Sequence, residues 1–281
     1  MKTTKGSKVK AVFAGLGIVM LLLGVQMVIG MIFGVAATLK YTDQAEILNY
    51  VSEKASAITF WGEVACIVVF GLWYYLGYVR KDKKLGTYES GLKKVANVKS
   101  IAFLTFAALG CYGLVLILVK AITVLIPGSM ELYSQIMGAA TGGNPVLAII
   151  AVVLLAPAAE ELALRGLMLK SSKKAFGIVG CVVLSGLMFG LMHMNPMQSL
   201  YTIPMGLLLG FVAYKYNSVI PAIIMHFINN AASCFIPAFL GRAVNVIEAT
   251  IIFVVFSALA VIVYKKFFAK TEQTETPEVA A

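Results

Sequence analysis

Between Ala11 and Leu39 the chain runs twenty-nine residues without a charged side chain. Few environments other than a lipid bilayer suit such a stretch, and a helix crosses the hydrocarbon core in about 20 apolar residues. The same ruler marks further spans near 57–79, 100–126, 146–169, 175–194, 198–214, 219–240 and 249–264. The expected fold is therefore all-α, a polytopic membrane helix bundle with about eight transmembrane helices. With 60% apolar and 13% charged residues, disorder and a coiled coil are excluded. A disulfide scaffold is excluded too, because only four cysteines occur and each sits inside an apolar run.

The formal charge of +10 invites a nucleic-acid reading, but the basic residues lie in short clusters between the spans, so no nucleic-acid partner is expected. They report orientation instead, since Lys and Arg resist transfer across the bilayer. Eighteen fall on one side: Lys2, Lys5, Lys8, Lys10, the cluster from Arg80 to Lys99, Lys170, Lys173, Lys174, Lys215, Lys265, Lys266 and Lys270. Only Lys40, Lys54 and Arg242 fall on the other. This predicts an even number of crossings with both termini cytoplasmic. The first span is too long for a cleavable signal peptide and reads as an uncleaved helix. Short loops and the absence of an N-glycosylation sequon point to a bacterial plasma membrane. The chain divides into N-terminal helices with a cytoplasmic linker over 1–144, a core over 145–240, a last helix over 241–270, and an unstructured acidic tail over 271–281. The linker 80–99 has room for a short interfacial helix.

Span four places Glu160, Glu161 and Arg165 within an apolar helix, where each ionised group costs roughly 2.5–3.5 kcal/mol. Such residues must face the interior of the bundle. Residues four apart share a face, so Glu161 can pair with Arg165, which leaves Glu160 on another face without a local counter-ion. Pro157 frees the carbonyl of Val153 and permits a kink. Both histidines also fall inside spans: His193 four residues after Phe189, and His226 four residues before Asn230. An ion-pair cluster joining helices, or histidines bonded in the packing, would account for these residues as well. An orphan carboxyl, two imidazoles and an amide in three spans point more strongly to a shared polar site. Gly186 with Gly190, and Gly206 with Gly210, fit ordinary close helix packing. Glu63 and Lys120 read as snorkelling near span ends, and Trp61, Tyr74, Tyr75 and Tyr78 as interfacial anchors.

The three motifs Glu160-Glu161-x-x-x-Arg165, Phe189-x-x-x-His193 and His226-x-x-x-Asn230, each on its own apolar helix, resemble those of the CPBP family, also called Abi. That family comprises CAAX prenyl proteases of the Ras-converting type and bacterial relatives linked to bacteriocin processing and self-immunity. The resemblance covers roughly residues 145–235 and implies an intramembrane endopeptidase acting on a membrane-associated, prenylated or bacteriocin-type peptide. By the same resemblance Glu160 and His193 activate water, while His226 and Asn230 hold and polarise the scissile carbonyl. Glu161 and Arg165 support the site, and Phe189 shapes the cavity wall. No cofactor is expected, because no HExxH occurs and an Asn beside His226 suits an oxyanion hole. The alternative is zinc on Glu160, His193 and His226. Other functions that use intramembrane charges are a non-catalytic immunity or peptide-binding protein and, further off, a transporter. One depth is inconsistent: a straight span five puts His193 about 29 Å from Lys174, whereas Glu160 and His226 lie about 15–16 Å from their basic loops. The reading that removes the conflict has residues 174–180 along the interface, with the helix starting late and tilted.

Overall fold

The computed structural model describes residues 5–267, with side chains for 6–266; the tail expected over 271–281 lies outside the described residues. Every regular element among them is a helix: α1 (Lys5–Lys40), α2 (Gln44–Glu53), α3 (Ala55–Lys84), α4 (Gly91–Val95), α5 (Val98–Leu125), α6 (Ser129–Thr141), α7 (Pro145–Ser172), α8 (Ile178–Leu191), α9 (Pro196–Tyr216), α10 (Ile220–Leu240) and α11 (Val246–Phe267). Seven of these are long and apolar enough to cross a membrane; the eighth expected span, α8, has 14 residues. At 1.5 Å per residue α8 rises only about 21 Å. It begins at Ile178 rather than 175, which shortens the rise to His193 to about 22 Å and removes about half of the depth conflict.

Side-chain caps set several helix starts. Asn97 accepts from Ser100 N, Asn144 from Val146 N and Leu147 N, and Asn195 from Gln198 N. In the last two a proline follows at the first helical position, where its missing N–H is no loss. The short helix foreseen in the 80–99 linker is α4, whereas α2 and α6 were not foreseen because neither contains a full-length apolar run.

Small residues let neighbouring helices pack antiparallel. A Cβ on Gly113 of α5 would sit 2.5 Å from Phe253 N of α11. A Cβ on Gly206 of α9 would sit 2.8 Å from Phe189 Cβ and 3.0 Å from Gly186 Cα of α8. Gly186 and Gly206 thus meet across α8 and α9, while Gly190 packs on Ser199 and Ile203 and Gly210 on Ser185.

Cross-contacts gather the start of α1 with the ends of α3, α7, α9 and α11 at one end of the bundle. Gly15 meets Met168, Lys170 pairs with Asp82 at 3.5 Å, and Lys173 donates to Asn217 at 3.0 Å. Tyr216 donates to Ser100 at 3.1 Å, and Phe103 stacks on Tyr264. The described chain therefore starts and finishes at the same end, together with most of its lysines. Tyr74 and Tyr78 are half-buried against the core, with the Lys170 ammonium over both rings. One expectation needs correction. Glu63 is buried rather than snorkelling, with its Oε1 accepting from Gln26 Nε2 at 2.8 Å.

Candidate active site

The local structure of α7 follows from Pro157. A proline inside a helix has no N–H to give, and α7 answers with a π turn over Ala151–Leu155, in which Ala156 N–H bonds Ala151 O. The donor five residues beyond Val152 is Pro157 itself, so the freed carbonyl belongs to Val152 rather than to Val153 as the regular helical spacing implied. Asn230 of α10 fills the gap, donating from Nδ2 to Val152 O at 2.9 Å. A second π stretch, Leu162–Leu169, follows Glu161 and carries Arg165 into the core.

One turn further along α7 lies a buried polar chain. Arg165 Nη1 donates to Glu161 Oε1 at 2.7 Å and Arg165 Nη2 to the carbonyl of Gly206 at 2.9 Å. His226 Nδ1 lies 3.0 Å from the same Glu161 oxygen. Both members of the ion pair are fully buried at their side chains. The adjacent Glu160 points elsewhere, as a 100° step along a helix requires. Its Oε2 stands 3.8 Å from His226 Nε2 and has no protein hydrogen-bond partner. His226 is thus held through one ring nitrogen by Glu161 and turned through the other toward Glu160.

Phe189, 1% exposed, joins the remaining pieces. The Arg165 guanidinium lies over its ring at 4.7 Å, while the rings of His193 and His226 meet it edge to face at 5.1 and 5.5 Å. His193 occupies the turn just past α8, with Nδ1 2.7 Å from Phe189 O. A carbonyl only accepts, so Nδ1 holds the proton and Nε2 is bare. His193 and His226 therefore both lie against Phe189, with Glu160 beside His226 and Asn230 one turn beyond His226 on the same helix.

Two polar side chains that the sequence reading left out of the site come near this group. Glu63 of α3 and Tyr201 of α9 both lie within electrostatic reach of Glu160. A signal for Glu63 existed in Gln26, the one amide in the first apolar run; Tyr201 carried none, since a tyrosine inside a span is ordinary. Among the described residues no set of three or more His, Cys, Asp or Glu side chains is grouped so as to hold a metal ion. The Glu160, His193 and His226 donors do not fit a zinc site as arranged, and no step below passes through a metal.

Residues 142–232 match the family model for the type II CAAX prenyl endopeptidase, Rce1-like. All seven residues of the three motifs fall inside that segment. The match agrees with the resemblance seen in the sequence and supports an intramembrane protease carried on several long apolar helices. No curated protein and no solved structure matches the chain.

Proposed function

We propose that the chain is an intramembrane endopeptidase in which Glu160 activates the water that hydrolyses a peptide bond of a membrane-associated substrate. The observation that carries this reading is the 3.8 Å gap between Glu160 Oε2 and His226 Nε2. The gap is too long for a direct hydrogen bond, and one water beside the pair, off the line between the two atoms, would reach both. A carboxylate with no protein donor is suited to take a proton from that water. The bare Nε2 of His193 accepts a hydrogen bond and so orients the same water. The hydroxide equivalent adds to the carbonyl carbon, and the proton held on Glu160 passes to the departing amine.

His226 with Nδ1–H directed at Glu161 has no proton on Nε2 when neutral, so donation to the oxyanion requires its imidazolium. Glu161, balanced by Arg165, lies where it pairs with that cation. Asn230 gives one amide hydrogen to Val152 O and keeps the other for the oxyanion. The matched family directs the first substrate choice to a prenylated C-terminal peptide, with a bacteriocin-type precursor as the second.

The test is hydrolysis of a farnesylated peptide and of a bacteriocin-type peptide by protein in lipid vesicles, for wild type and Glu160→Gln. The expected result is a loss of at least about 10³-fold in turnover with folding retained, in keeping with removal of a reacting group. Equal hydrolysis by both proteins would overturn the reading. A chelator titration of the wild type, with activity unchanged, is the expected outcome of the metal-free route.

A further inference from the structure

His193 is not on a helix. It is the second residue past the end of α8, and the next residue, Met194, has φ of +56°. L side chains rarely adopt that left-handed region, and a non-glycine residue stays there only where its surroundings fix it. The fixing group is the side chain of Asn195, 3% exposed. Its Oδ1 accepts from Gln198 N at 2.9 Å, capping α9. Its Nδ2 donates back to His193 O at 2.9 Å and to Gln198 Oε1 at 2.6 Å. The Tyr133 ring of α6 meets the Tyr201 ring of α9 edge to face at 6.4 Å.

We infer that Asn195 is the positioning residue of His193: its amide clamps the turn between α8 and α9, with Gln198 bonded to the same amide. The inference rests on the proposed peptidase reading for its effect on catalysis, but not for the clamp itself. Without the bond to its carbonyl, the His193 peptide unit loses the contact that orients it against the strained Met194. The ring then departs from the line to Phe189 O that fixes its tautomer and aims Nε2. A side chain that caps α9 without donating to His193 O separates this role from simple helix capping. Asp at position 195 meets that condition, since a carboxylate offers an acceptor for Gln198 N and no donor; Ser keeps the cap acceptor and replaces the Nδ2 donor with one shorter hydroxyl.

The experiment uses full-length protein in detergent micelles, with Asn195→Asp and Asn195→Ser compared with wild type. The chain has two histidines, so ring-labelled histidine gives two resolvable sets of nitrogen resonances, assigned with a His226→Gln reference. The expected result is that His193 resonances shift or broaden in both variants while those of His226 stay in place and helical content is unchanged. In the vesicle assay kcat is expected to fall about 10–100-fold with KM within about twofold, the pattern of a misaligned reacting group. His193 resonances identical to wild type in both variants would overturn the clamp. If wild type shows no Glu160-dependent hydrolysis, the peptidase reading fails instead, and the resonances still decide the inference.

Discussion

Arg165 occupies the most consequential position at the scale of single residues, because it is a fully buried cation whose partners are one carboxylate and one backbone carbonyl. Burying two charges is expensive, and a pair of them is tolerated only while complete. Arg165→Met takes the buried cation from Glu161 and leaves it His226 Nδ1 alone as a side-chain partner, and the expected cost is about 3–5 kcal/mol. Glu161→Gln with Arg165→Met together should restore much of the loss, since the double variant buries no charge. Thermal unfolding of the three proteins in detergent checks both statements; equal destabilisation by the single and double variants would refute them. Much at this scale was legible beforehand. The spacing of four between Glu161 and Arg165 gave their pairing, and the 100° step gave the separate direction of Glu160. The third partner was not legible: His226 lies 65 residues away, and no periodicity within one helix identifies the residue that another helix brings opposite.

Among elements, α7 shows how a helix-breaking residue positions a site. Pro157 removes a donor, the π turn moves the defect to Val152, and Asn230 repairs it from α10. The repair also fixes the rotation of α10 that points His226 at Glu160. Asn230→Leu strands the Val152 carbonyl and is expected to cost about 1–3 kcal/mol. In a Pro157→Ala background, where position 157 regains its N–H, the same change should cost clearly less. A double-mutant cycle read by chemical unfolding measures the coupling, and strict additivity would show that Asn230 does not serve Pro157. The proline and the motif asparagine were both visible in the sequence. Their connection was not, because helical spacing pointed to Val153, and only the observed hydrogen-bond pattern shows a π turn at that place.

Taken whole, the molecule is a bundle whose described chain begins and finishes at one end, shared with most of the lysines. The charge bias predicts that this end faces the cytoplasm. Reporters fused at the N-terminus and after Ala281 should give the cytoplasmic signal, and one inserted after Ala243, in the loop before α11, the opposite signal. A matching signal at all three positions would refute the topology. The hydropathy pattern located seven long helices within a few residues, because burial in lipid demands a minimum length that composition displays directly. It overstated α8, expected over 175–194 and observed over Ile178–Leu191, because apolar residues continue into the turns at both ends.

The sequence by itself determined that this chain enters a membrane, where its helices lie, and which face of each carries the charged or polar residues of its motifs. These are properties of one helix in an apolar solvent, set by the cost of exposing charge and by the 3.6-residue turn. Only the tertiary structure decided that His226 and not His193 stands closest to Glu160, that Glu63 turns inward, and that Asn195 holds the turn bearing His193. Those outcomes depend on how far one helix slides and rotates against the next. Close glycine contacts and a few long-range hydrogen bonds set that relation, and no local pattern in the chain records it.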